Sequence, residues 1–201
     1  MGKIVYLMGK SCTGKDTIYK RLLEENAFGL KKIVLYTTRP IRTKERDGEE
    51  YFFTDEEGYQ KFKKSGKVIE DRSYHTYYGV WRYFTVDDGQ IDLTSRDYIC
   101  IGTLESYEST RKYFGEEYLM PILIELDDGV RLQRALNREK KQPKPRYEEM
   151  CRRFLADSED FSEEKIAAAG ITGRFYNENL EQCLEEIRSY IRNDLLEGAC
   201  T

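Results

Sequence analysis

Close to its start the chain runs through five apolar residues straight into a glycine-rich loop that carries a lysine. Ile4-Val5-Tyr6-Leu7-Met8 is followed by Gly9-Lys10-Ser11-Cys12-Thr13-Gly14-Lys15-Asp16-Thr17. The apolar run does not alternate with polar residues, so it suits a strand buried on both faces inside a parallel sheet. The spacing G-x-x-x-x-G-K lets backbone N–H groups turn inward around phosphate oxygens, and Lys15 can reach the outer phosphates. Residues 15–26 carry Ile18, Leu22 and Leu23 at helical spacing. The positive end of that helix would point at the same anion. Asp16 stands where this motif usually has Ser or Thr, with Thr17 next. Thr17 is expected to hold Mg²⁺ through its hydroxyl. Asp16 either acts on the ion through water or favours the helix N-terminus by its charge.

The remaining chain repeats the strand–helix rhythm. Strands are expected at 33–36, 98–101 and 122–126. A capping box at Thr54-Asp55-Glu56-Glu57 is expected to open a helix reaching Gly66. Helices follow up to Gly115, across 129–160 with a break at 142–145, and from 178 to 196, where Leu180, Leu184, Ile187 and Ile191 form one stripe. Alternating strands and helices predict an α/β fold, a doubly wound parallel sheet. Residues 37–86 are rich in tyrosine and break the rhythm, as an inserted subdomain of short strands would.

A chain of 201 residues is long enough for one domain with a sizeable core. The absence of any long apolar run argues against a membrane span. The opening apolar stretch is too short for a signal-peptide core, and Tyr6 stands where a myristoylation signal needs Ser or Thr. Five cysteines without a C-x-x-C pair, and a single histidine, argue against a zinc site or a disulfide framework and for the reducing cytoplasm. A net charge of −4 argues against a nucleic-acid partner. A monomer or a homodimer is expected.

Arg39 and Arg42 follow the second expected strand in Thr37-Thr38-Arg39-Pro40-Ile41-Arg42. Paired guanidinium groups grip phosphate bidentately. Asp47-Gly48-Glu49-Glu50-Tyr51, Glu70 and Tyr77-Tyr78-Gly79 come next. A tyrosine hydroxyl can donate to a phosphate oxygen, and a carboxylate can accept from the N–H edge of guanine. Singly, each has an ordinary alternative as a surface charge, a strand tyrosine or a solvated acid. In this order, with Arg134-x-x-x-Arg138, Arg153 and Phe175-Tyr176-Asn177-Glu178-Asn179-Leu180, the set resembles the guanylate kinases over nearly the whole chain.

The resemblance implies a P-loop nucleoside monophosphate kinase fold, with an acceptor subdomain at about 37–86 and a helical lid at about 134–155. It implies that residues 9–17, Gly9, Lys10, Ser11, Cys12, Thr13, Gly14, Lys15, Asp16 and Thr17, hold the phosphates of ATP with Mg²⁺. Arg39, Arg42, Tyr51 and Tyr78 would bind the acceptor phosphate, and Glu70 would read guanine. Arg134, Arg138 and Arg153 would close from the lid onto the adenine nucleotide and the transferring phosphate, where Lys15 and Arg39 also act. The implied reaction is ATP plus GMP or dGMP giving ADP plus GDP or dGDP.

The chain departs from the family at base recognition. Leu35 and Tyr36 stand where a serine is expected, Val80 follows Tyr-Tyr-Gly, and Cys100-Ile101-Gly102-Thr103-Leu104-Glu105 replaces a segment with two acids. Thr103 and Glu105 are the candidates to replace them. Two other readings stay open at this point. One is a kinase of this fold with another acceptor such as ribose 1,5-bisphosphate, which Val80 and Asp16 resemble. The other is a non-catalytic module that binds phosphorylated partners, against which Lys15 stands.

Overall fold

β1 (Ile4–Met8) is buried at every residue. The reason is two cores, one on each side of it: Ile4, Tyr6 and Met8 point into one, Val5 and Leu7 into the other. The computed structural model describes residues 1–43, 45–76 and 79–197. After β1 the elements are α1 (Lys15–Glu25), β2 (Lys31–Lys32), β3 (Tyr36–Thr37), β4 (Phe52–Phe53), α2 (Glu56–Lys64), β5 (Val68–Thr76), β6 (Gly79–Val86), β7 (Tyr98–Gly102), α3 (Leu104–Phe114), β8 (Leu119–Glu125), α4 (Asp128–Lys140), α5 (Tyr147–Asp160), α6 (Glu163–Ala168), β9 (Arg174–Tyr176) and α7 (Leu180–Glu197).

The main sheet is parallel, in the order β2-β7-β1-β8-β9. Ile18 and Leu22 of α1 and Leu184, Ile187 and Ile191 of α7 cover one face. Leu104 and Tyr107 of α3 and Ile166 of α6 cover the other. Helices on both faces make the sheet doubly wound, as expected. β1 lies centrally, so the loop after it opens at the carboxyl edge where ligands of such sheets bind.

The second sheet, β4-β3-β6-β5, is built from residues 36–86. Tyr36, Val68, Phe84 and Val86 pack from it against Tyr59 and Phe62 of α2. A bulge separates Val68, which pairs with Val86, from Glu70, which pairs with Thr85. Val86 and Thr85 are neighbours on β6 and face opposite sides. The bulge therefore turns Glu70 to the face opposite Val68, although two residues apart would ordinarily share a side. Arg72 and Tyr83, the next pair along, share the face of Glu70.

Three expectations are corrected. The strand expected at 33–36 is split between β2 and β3: the side-chain amide of Gln90 bonds both backbone groups of Val34 (Oε1 accepting from N at 2.9 Å, Nε2 donating to O at 3.2 Å) as the chain crosses between sheets. The cap of α2 is Asp55, whose Oδ1 accepts from Gly58 N at 2.8 Å, one residue past the expected Thr54. The fourth core strand begins at Leu119, not 122, and α6 and β9 carry no signal strong enough to be expected.

Candidate active site

The loop between β1 and α1 is shaped by close approaches. A β-carbon on Gly9 would stand 2.3 Å from the Ile124 carbonyl oxygen, and one on Gly14 would stand 2.2 Å from Asn177 Nδ2; Gly14 also has a φ of +96°. Neither position has room for a side chain. Cys12 sits at φ +66°, a conformation that a non-glycine residue holds only when its surroundings enforce it. Those surroundings include Thr13, fully buried, which donates from Oγ1 to Lys10 O at 3.0 Å. Asn177 Nδ2 donates to Thr13 O at 2.7 Å.

Lys15 is half-buried in the first turn of α1, and its ammonium has no hydrogen-bond or ion-pair partner among the described residues. A partly desolvated cation without a partner, at a helix N-terminus, is prepared for an anion. Lys10 is instead paired with Asp128 at 3.6 Å. Ser11 lies in the loop wall. Asp16 and Thr17 are exposed on the first turn and make no side-chain bonds among the described residues. Arg134 is exposed, with Nη1 3.9 Å from where a Gly14 β-carbon would lie, so it overhangs the loop.

The second sheet supplies a cationic and aromatic cluster. Arg39 is 3% exposed and grips Glu45 bidentately, with Nη1 to Oε2 at 2.7 Å. Its guanidinium lies over the rings of Tyr51 (5.1 Å) and Phe53 (5.5 Å). Hydrogen bonds from Arg39 hold the Glu45 carboxyl below the usual carboxylate range. Burial and then the neighbouring Tyr83 push the Tyr51 hydroxyl up, while the charges of Arg39 and Arg72 pull it back. Glu70 is buried and accepts from Thr85 Oγ1 at 2.7 Å and from Arg72 Nε at 3.2 Å. Arg39 and Tyr51 therefore stand together, and Glu70 stands with Arg72, whose charge reaches Tyr51. Arg42 is exposed beside it, its backbone N donating to Glu45 at 2.9 Å. Tyr78 lies outside the described residues. Thr103 is the N-cap of α3, in a capping box with Ser106.

A guanylate kinase family model matches residues 1–84, which contain the phosphate loop and nearly all of the second sheet. The chain is 42% identical over 79 residues to the guanylate kinase of Mycoplasma mobile, a match covering 39% of each chain. It is 25% identical over 194 residues to the guanylate kinase of Porphyromonas gingivalis, covering 95% of this chain and 97% of that one. Over its first 84 residues the chain is similar to the guanylate kinases in sequence, and at lower identity the similarity runs over nearly its full length. The first of these matches spans well under two thirds of its relative. The solved structure of guanylate kinase from Anaplasma phagocytophilum shares the fold, with a TM-score of 0.66 over 96% of this chain and 86% of that one, at 17% identity.

As a guanylate kinase-like chain it has a physical reason for one of its departures. A β-carbon on Gly102 would stand 2.3 Å from the hydroxyl of Tyr6 and 2.6 Å from Ser106 Oγ. The Tyr6 hydroxyl, which donates to Ser106 Oγ at 2.8 Å, fills the space an acid at position 102 would need.

Sequence reasoning missed two residues that tie α4 and α5 to the phosphate loop. Arg131 is 1% exposed on α4. It donates from Nε to Ser11 O at 3.0 Å and from Nη2 to Asp157 Oδ2 at 3.1 Å, pairs with Asp128, and lies over the Phe154 ring. Asp157 on α5 accepts from Ser11 N at 2.7 Å. The segment between Arg131 and Asp157 thus has both ends tied to the phosphate loop. The only sequence signal is an arginine four residues before the buried Ala135, on a core-facing helix side. Arg138 and Arg153 are exposed, and Arg153 bonds Glu149 at 2.8 Å. Arg152 and then Arg153 hold the Glu149 carboxyl down at about 2. Glu45 and Arg72 were also missed; each is bonded to a predicted residue, Arg39 and Glu70 respectively.

Proposed function

We propose that the protein transfers the γ-phosphoryl group of ATP to GMP or dGMP, giving ADP and GDP or dGDP. The observation that carries this reading is the half-buried Lys15 at the phosphate loop, without a partner among the described residues, in a chain whose second sheet carries Arg39, Tyr51 and Glu70. The relatives' printed names support it. Phosphoryl transfer asks little covalent chemistry of a protein; it asks for in-line positioning and for positive charge around the equatorial oxygens. In this reading Lys15 and Arg134 face the transferring group from the donor side. Arg39, held rigid by Glu45, grips the acceptor phosphate with Arg42 and Tyr51, and Glu70 accepts from guanine. The lid, with Arg138 and Arg153, excludes water and so suppresses hydrolysis of ATP.

Among the described residues no three His, Cys, Asp or Glu side chains stand together as a metal site. That fits Mg²⁺, which binds mainly to substrate phosphates with one or two protein ligands. Thr17 and Asp16, whose side chains are free, would hold it. When bound it would neutralise charge on the phosphates. Among the described residues no helix is long and apolar enough to cross a membrane. We place the reaction in the cytoplasm, in keeping with the free thiols of Cys12, Cys100, Cys151 and Cys183.

The test is ADP release from ATP and Mg²⁺ across GMP, dGMP, AMP, CMP, UMP and ribose 1,5-bisphosphate. The expected result is a strong preference for GMP and dGMP. Preference for the sugar bisphosphate, or no acceptor-dependent release, refutes the reading.

A further inference from the structure

Glu70 is 4% exposed, on the face of the second sheet opposite Val68, where its charge reaches Tyr6 of β1 and Cys100 of β7. Arg72 stands two residues on, on the same face, with its side chain 12% exposed. Its Nε meets Glu70 Oε2 at 3.2 Å and its Nη2 reaches Oε1 at 3.5 Å. Thr85 Oγ1 donates to Oε1 at 2.7 Å. We infer that Arg72 is a positioning residue for base recognition: it keeps the Glu70 carboxylate charged and aimed, so that guanine rather than adenine is accepted. The inference rests on the proposed GMP reaction.

Guanine offers two N–H donors on one edge, and only an ionised carboxylate can accept from both. A protonated carboxyl keeps one acceptor and gains a donor, which suits the amino group and ring nitrogen of adenine instead. Burial drives Glu70 toward the protonated form, and Arg72 is the largest influence opposing it. The other groups near Glu70 do not replace that charge. Asp71, on the same strand, adds a negative charge; Tyr6 on β1 and Cys100 on β7 are buried and neutral; Thr85 on β6 only donates a hydrogen bond. On α3, which packs against β5, Glu105 acts on Tyr74 and is not among the groups that act on Glu70.

The sign follows directly. Arg72 lowers the pKa that burial raises, so its loss moves Glu70 protonation to higher pH. In Arg72→Gln the KM for GMP, relative to that of the unaltered protein at the same pH, should rise about tenfold or more at low pH and recover as pH rises. The ratio of AMP to GMP turnover should rise most at low pH. The unaltered protein supplies the reference profile, which carries the titration of GMP itself, and Arg72→Lys should stay close to it. Glu70→Gln/Arg72→Gln removes both charges, guards against a folding defect from a lone buried carboxylate, and should follow the reference profile with no added pH dependence. A loss in Arg72→Gln that is flat with pH, and equal for AMP and GMP, overturns the role of Arg72. An unaltered protein that phosphorylates no GMP overturns the reading beneath it, and with it this assignment.

Discussion

Replacing Asp157 with alanine tests how α4 and α5 are tied to the phosphate loop. The change removes two charge-assisted bonds, from Ser11 N at 2.7 Å and from Arg131 Nη2 at 3.1 Å. Arg131 stays buried but keeps Asp128 and the Ser11 carbonyl. Breaking a buried pair by removing one partner costs about 3–5 kcal/mol. Asp157 is 18% exposed and Arg131 retains a second acid, so the lower end applies, about 3 kcal/mol. In a chain of this size each kcal/mol moves Tm by about 2–4 °C, which makes the expected drop about 6–12 °C. Calorimetry, with urea unfolding alongside, reads both quantities. Adding Arg131→Met should recover part of the loss, because an uncharged filler leaves no stranded cation. A loss below about 1 kcal/mol for Asp157→Ala, or a double variant less stable than the single one, would refute the staple.

Two other substitutions separate chemistry from architecture. Lys15→Met should lower kcat about 10²–10³-fold, since Lys15 would be a donor to the transferring phosphate, and leave stability within about 0.5 kcal/mol, since it has no partner among the described residues to lose; steady-state kinetics with a melting curve checks both, and normal turnover sinks the role. Glu45→Gln should loosen Arg39 and raise the acceptor KM about tenfold while sparing the KM for ATP; an equal rise in both would point to a general folding defect.

The strand, loop and helix of the phosphate site are legible because their signals are local. An unbroken apolar run, glycines where a side chain would strike Ile124 or Asn177, and a lysine at fixed spacing lie within one stretch of chain. The order of Arg39, Arg42, Tyr51 and Glu70 is legible for the same reason. What they are bound to is not. Residues 33–36 are as apolar as a core strand, yet Gln90, far along the chain, takes both backbone groups of Val34 and breaks the strand in two. Glu70 would share the side of Val68 by simple alternation, and a single bulge turns it toward Arg72 and Thr85. Arg131 and Asp157 read as charges on two solvated helices, and become a buried pair only when α4 and α5 close over Ser11. The residue types and spacings that set the chemistry are properties of the sequence by itself. Which carboxylate faces which cation was decided by tertiary structure, because a charge's partner depends on distance in space and on exclusion of water, and neither is written in neighbouring residues.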